Sequence, residues 1–222
     1  MKTINKILTV LMIISVLALV LTASIVLPFY CRFFYYLHIE PLGIEESSGL
    51  DREQIEAAYD GIIDYTTLGK PFSTGGLPYT EEGESHFADV KKLFDLDLIV
   101  LLISLAIVAA LAVLSKTKVI SLRRFGGFPF YFYSGAVLLA LMALAAAVVL
   151  INPDGAFVAF HQIFFPGKQN WIFNPETDRI ITILPQQFFI NAGMLIVGAS
   201  ALVSAALVAL GVRKKKDGRK NS

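Results

Sequence analysis

A membrane base of four transmembrane helices, all-α and carrying a small extracellular α+β cap on its two outer loops, is the fold class this sequence predicts. Three observations predict it. Four apolar stretches, at about 7–29, 96–114, 128–151 and 188–212, each approach or exceed the ~20 residues a helix needs to cross a bilayer. The chain as a whole is 55% hydrophobic with a mean hydropathy of +0.65, too apolar for an ordinary soluble domain. The third observation is how charge is distributed between the spans.

Net charge is only +1, yet it divides sharply by segment. The N-terminus (Lys2, Lys6), the 115–127 loop (Lys116, Lys118, Arg123, Arg124) and the 213–222 tail (Arg213, Lys214, Lys215, Lys216, Arg219, Lys220) hold 12 of the 19 basic residues against one acid, Asp217. The 30–95 and 152–187 segments, with Asp97 at the mouth of the second span, hold the other 7 basic and 17 acidic residues. Basic loops stay on the cytoplasmic side. Both termini and the short loop are therefore expected in the cytoplasm of a multi-pass cell-membrane protein, with 30–95 and 152–187 forming the extracellular cap of a single membrane domain, 1–222. The basic tail reads as a topology anchor, so no nucleic-acid partner is expected. The lone Cys31 has no internal partner, which leaves the cap to packing alone. Bulky Phe29 and Tyr30 before it do not fit a small-residue cleavage site, so the first span reads as an uncleaved anchor.

In chain order, the first span ends at Pro28 and enters an aromatic collar (Phe29, Tyr30, Phe33, Phe34, Tyr35, Tyr36) of the kind that sits at headgroup level. His38, just beyond, reads as an interfacial residue hydrogen-bonded near that collar. Residues 51–65 predict a helix N-capped by Asp51, with Ile55, Tyr59, Ile62 and Ile63 on one apolar face. Glycine and proline mark turns at Gly69-Lys70-Pro71 and Gly75-Gly76-Leu77-Pro78, without phosphate-cradling spacing. In 84–94 a helix would put His86, Val90, Leu93 and Phe94 on one face and Asp89 one turn from His86. A carboxylate there can fix an imidazole's tautomer, and a capped helix start with a solvated histidine fits the same spacing. The third and fourth spans are rich in small residues that allow close packing, and they lack midplane polar groups, which disfavours a channel or transporter.

The 157–189 stretch is the most informative. Phe157, Phe160, His161, Phe164 and Phe165 recur at the spacing of one helix face, and Pro166-Gly167 stops the helix. Next, Trp171-Ile172-Phe173 and Arg179–Leu184 flank the turn cluster Asn174–Asp178, which predicts a β-hairpin. No HExxH, C-x-x-C or G-x-S-x-G is present, so zinc-peptidase, redox and serine-hydrolase templates fail, and neither metal nor cofactor is expected. Every histidine lies in the two outer segments, and histidine suits general acid–base work near neutral pH. From the residues alone two readings stand: a lipid-active enzyme at the membrane surface, or a four-span scaffold with structural histidines.

The run Ser85-His86-Phe87-Ala88-Asp89-Val90-Lys91-Lys92-Leu93-Phe94 is followed, after a span pair, by Phe160-His161 through Pro166-Gly167, Trp171, Phe173, Thr177-Asp178, Ile180-Ile181, Leu184-Pro185 and Phe188-Phe189. Together with Leu37-His38-Ile39 and Ile62-Ile63-Asp64-Tyr65, these motifs resemble the lipoprotein intramolecular transacylase family (Lit) of Gram-positive bacteria over essentially the whole chain. Phe87 departs from the methionine or leucine of the family pattern. The resemblance implies transfer of the sn-2 acyl chain of an N-terminal S-diacylglyceryl-cysteine to that residue's own α-amine, giving lyso-form lipoprotein. It implies partners in the diacylated lipoprotein substrate and membrane lipid, with catalysis by His86 and His161. Phe160 and Phe164 would then hold acyl or glyceryl groups, Asp89 would support His86, and the Trp171 indole N–H would serve as a donor or as an interface anchor. The competing expectations are an acyltransferase or hydrolase on free phospholipids and the non-enzymatic scaffold.

Overall fold

Eight α-helices and one 3₁₀ turn build residues 2–220, those described by the computed structural model. In order they are α1 (Lys2–Tyr30), α2 (Arg32–Ile39), α3 (Ile44–Ser48), α4 (Arg52–Leu68), α5 (Glu81–Lys116), α6 (Phe130–Ile151), α7 (Pro153–Phe164) and α8 (Gln186–Lys220), with the 3₁₀ turn over Arg179–Ile183 before α8. Helices α1, α5, α6 and α8 are each long and apolar enough to cross a membrane. The chain divides into two compact units: one takes in residues up to Ile25, Leu98–Ala146 and the chain from Ile196 onward, the other Val26–Asp97 and Ala147–Leu195.

In the first unit, small and hydroxylated side chains let helices meet closely. A Cβ on Gly135 of α6 would come 2.6 Å from the Ser204 carbonyl oxygen of α8, so only glycine fits that crossing. Ser134 donates its hydroxyl to the Ile13 carbonyl at 3.0 Å, and Arg123 donates its backbone N–H to Thr9 Oγ1 at 2.8 Å. Lys215 lies 3.8 Å over the Phe128 ring, a cation–π contact of the tail with the residue that follows the 115–127 loop.

The second unit has its own apolar core. Asp51 caps α4, accepting from Gln54 N–H at 2.9 Å while Gln54 Oε1 accepts from Asp51 N–H at 3.1 Å. This capping box satisfies two otherwise orphaned donors. Ile55, Tyr59, Ile62 and Ile63 all turn into the core, as their spacing predicts, and meet Tyr35, Ile39, Ile44, Phe87, Ile180, Ile183 and Phe188 there. Tyr35 differs from the expected headgroup-level collar. It is fully buried, stacks on Tyr59 with centroids 3.7 Å apart, and donates its hydroxyl to the Ile183 carbonyl at 2.7 Å. The collar residues 33–36 belong to α2, so only one side of them can face outward, and Phe33 does so.

The α+β expectation is corrected. No strand occurs among the described residues, and the predicted hairpin is a turn followed by the 3₁₀ segment. The physical reason is visible in Ile180 and Ile183, both buried. They stand three apart, which one 3₁₀ turn places on the same side, whereas a strand would point them to opposite faces. Burial of that pair overrides the β-propensity of the run, a preference that is itself context-dependent.

Candidate active site

Two helices of the second unit bring the chemistry together. His86 lies in the second turn of α5, whose start is fixed by Thr80: Gly83 N–H donates to Thr80 Oγ1 at 3.1 Å. Thr80 is held in turn by Asp178, whose Oδ1 accepts from the Thr80 N–H at 2.8 Å and from its hydroxyl at 2.9 Å. Gly83 faces that same carboxylate so closely that a Cβ would collide with it. His161 lies in the last turn of α7. There Asn152 caps the start by accepting from Gly155 N–H at 2.9 Å, and Pro153 takes the first helical position, where its missing N–H costs nothing. The helix stops at Phe164, followed by Phe165 and by Gly167 at φ +74°.

The two imidazoles face each other with centroids 5.7 Å apart and planes tilted by 31°. Both are buried, His86 at 5% exposure and His161 at 7%. Phe165 and Phe173 pack edge-on to His86, with centroids at 5.0 and 5.4 Å. Trp171 stacks on His161 at 4.6 Å and 27°, with Phe157 at 4.3 Å.

The tautomer of His161 follows from its partner. Nδ1 lies 2.8 Å from the Phe157 carbonyl oxygen, which can only accept, so Nδ1 carries the proton and Nε2 keeps its lone pair free. His86 Nδ1 is buried with no hydrogen-bond partner among the described residues. Burial first, then the nearby His161, pushes the His86 pKa down to about 4, with Lys168 adding to the shift and Asp89 opposing it. Burial also lowers the His161 pKa, partly offset by its bond to Phe157. Both rings are therefore neutral at neutral pH.

The other residues expected at the site are placed as follows. Asp89 is buried near His86, but its hydrogen bonds go to Lys92, Lys168 and Asn170, at 3.0, 2.5 and 3.2 Å. Burial alone would raise its pKa; those donors outweigh it and hold the carboxyl at about 2. Trp171 spends its indole N–H on the Lys168 carbonyl at 3.1 Å, so it meets His161 through its ring face. Phe160 and Phe164 do not share the buried side of α7 with His161 and Phe165; they are 47% and 49% exposed and pack on each other at 4.7 Å. The aromatic stripe is thus split between two sides. His38 donates to the Phe34 carbonyl at 2.7 Å and stays apart from the pair. The sequence singles out neither Lys168 nor Asn170, and it places Phe173 and Asp178 only in the expected hairpin and the family motif. A polar turn after a helix stop reads as solvated surface, and only the tertiary fold shows that its lysine reaches a buried carboxylate.

Known proteins resemble this chain in sequence family and in fold. The model of one family, described as lipoprotein intramolecular transacylase Lit, matches residues 10–189. The fold is similar to the in meso structure of the membrane integral lipoprotein intramolecular transacylase Lit from Bacillus cereus, with a TM-score of 0.87 at 21% identity over 100% of both chains. Structures of that protein with one histidine replaced match at a TM-score of 0.79 and 21% identity. The arginine variant covers 100% of this chain and 96% of its own, and the alanine variant 99% and 97%. No curated protein matches the chain in sequence.

Proposed function

The chain belongs to the lipoprotein intramolecular transacylase Lit family, a membrane-integral acyltransferase family whose activity is intramolecular acyl transfer on lipoproteins, and we propose that His86 and His161 carry that transfer here. The substrate in this reading is a lipoprotein whose N-terminal cysteine bears a diacylglyceryl thioether and a free α-amine, and the sn-2 acyl chain moves to that amine. One observation carries the assignment of residues: two buried imidazoles, from separate helices, meet 5.7 Å apart in an aromatic enclosure. The histidine variants of the Bacillus cereus protein support a role for histidine.

The chemistry divides naturally between the rings. The amine nitrogen attacks the ester carbon, a C–N bond forms, and the C–O bond to glycerol breaks. His161 Nε2, with its lone pair free, accepts the amine proton and returns it to the departing glycerol oxygen. His86, neutral and too weak a base to compete, offers its N–H to the oxyanion of the tetrahedral intermediate, since preorganised donors aimed at developing charge lower the barrier. A neutral histidine in that role is an established device. Donor and acceptor belong to one molecule, so binding it folded supplies proximity worth ~7–11 kcal/mol. Phe160 and Phe164, exposed beside the pair, offer the acyl chains an apolar surface. The acidic charge of 30–95 and 152–187 supports placing this unit on the extracellular side, where lipoproteins present their N-termini.

Mass spectrometry of the N-terminal lipopeptide tests the reading. Expression in a host that makes diacyl lipoproteins is expected to convert them to lyso-form, and His86→Ala or His161→Ala is expected to stop the conversion. Unchanged lipopeptide in the presence of well-expressed wild-type protein sinks the assignment, and accumulation of lysophospholipid moves it to free phospholipids.

A further inference from the structure

The loop that leaves α7 is fastened to α5 through one carboxylate. Asp89 stands one turn beyond His86 and is 7% exposed, and a carboxylate so buried is stable only if its oxygens are well supplied with donors. Lys92, on the same helix, donates to Oδ1 at 3.0 Å. The remaining two donors both come from the loop: Lys168 Nζ at 2.5 Å and Asn170 Nδ2 at 3.2 Å, each to Oδ2. The backbone carbonyl of that same Lys168 accepts the Trp171 indole N–H at 3.1 Å, and the indole face lies on His161. Contacts therefore run unbroken from the helix of one histidine to the ring of the other.

We infer that Asp89, Lys168 and Asn170 form a positioning strap that holds Trp171 against His161 and thereby sets the spacing and tilt of the two imidazoles. This rests on the reading that both histidines act in the transfer. None of the three need touch the reacting atoms. Lys168 is 46% exposed at its side chain and Asp89 8%. An exposed ion pair would contribute little, but here the carboxylate end is dry, so removing the lysine leaves Asp89 with Lys92 and a single amide donor. The loop then has reason to shift, and Trp171 shifts with it. The titratable group that faces His161 is His86; Asp89, Lys168 and Lys92 meet one another in the ion-pair cluster of the strap.

The chain has one tryptophan, so indole fluorescence of the full-length protein in lipid nanodiscs reports on this stack alone. An imidazolium quenches an indole it stacks on. Emission of the wild type is expected to fall as acid protonates His161, and His161→Gln is expected to abolish that titration, which identifies its source. Lys168→Met and Asp89→Asn are expected to lose most of the titration amplitude while kcat falls about tenfold or more, the scale of a small misplacement of a reacting group, with KM little changed. Lys168→Arg, which keeps the cation, is expected to retain both. Wild-type titration in Lys168→Met and Asp89→Asn overturns the strap, as does a collapsed titration with kcat intact. Failure of the histidine reading looks different: His161→Gln would transfer acyl chains at the wild-type rate, whatever the strap variants do to the emission.

Discussion

At the scale of single residues, the two histidines differ in ways that support giving them different tasks in the proposed transfer. His161 has one nitrogen committed to the Phe157 carbonyl and the other free, whereas His86 is held neutral by burial down to a pH of about 4. A base is lost as pH falls through its own pKa, and burial lowers that of His161 from the ordinary imidazole value. The substrate amine must also be neutral, and it titrates near about 8. The rate of acyl transfer is thus expected to rise with pH through two ionisations. His161→Asn should remove the lower one together with most of the rate. His86→Asn retains an N–H donor but not the ring; it should lose roughly 10²–10³-fold, the scale of an oxyanion donor, and keep the lower ionisation. Lyso-form product measured against pH for the three proteins checks the assignment, and an unchanged lower limb in His161→Asn reverses it.

At the scale of elements, α5 depends on a residue almost a hundred positions away. Asp178 accepts two bonds from Thr80, and Thr80 caps the helix on which His86 sits. Gly83 is required because any side chain there would push into the Asp178 carboxylate. Asp178→Ala is expected to cost about 0.5–2 kcal/mol, the worth of a helix cap, seen as a melting point lower by about 2–4 °C per kcal/mol for a chain of this size. Gly83→Ala should cost at least as much and slow acyl transfer as well. A thermal shift assay in detergent, paired with the activity measurement, checks both; a Gly83→Ala protein with unchanged melting point and rate would show that the seam is not under constraint. The hairpin expectation failed at this same place. The β-prone run from Arg179 to Leu184 predicted a strand, but propensity does not reveal that Ile180 and Ile183 must enter the same core.

At the scale of the whole molecule, apolar length identified four membrane-crossing helices, because a bilayer imposes a simple one-dimensional requirement on sequence. The helix face of α4 was also legible, since an i, i+4 repeat is local, whereas the single aromatic face expected of α7 is split, with Phe160 and Phe164 exposed and His161 and Phe165 buried. The meeting of His86 and His161 was legible only through family motifs; Asp89 was singled out beside His86, but its ion pair with Lys168 was not legible, since it depends on how distant segments pack. Orientation follows from charge: the basic loops predict that the second unit faces outward. Cys31 is a single, exposed thiol in that unit, so a membrane-impermeant maleimide applied to intact cells is expected to label the protein. Labelling only after lysis would place the histidines on the wrong side for lipoproteins.

Tyr35 and Tyr59 are made early in synthesis, yet the core they belong to is completed by Ile180, Ile183 and Phe188. At about 5–20 residues per second, the ribosome takes on the order of ten seconds to deliver the missing part. During that interval the first loop has its helices but not the residues that close over them. His86 gains its partner only once the chain has threaded back across the membrane. On the proposed two-histidine reading, a chain stalled in its third span carries His86 without His161 and is expected to transfer no acyl chain.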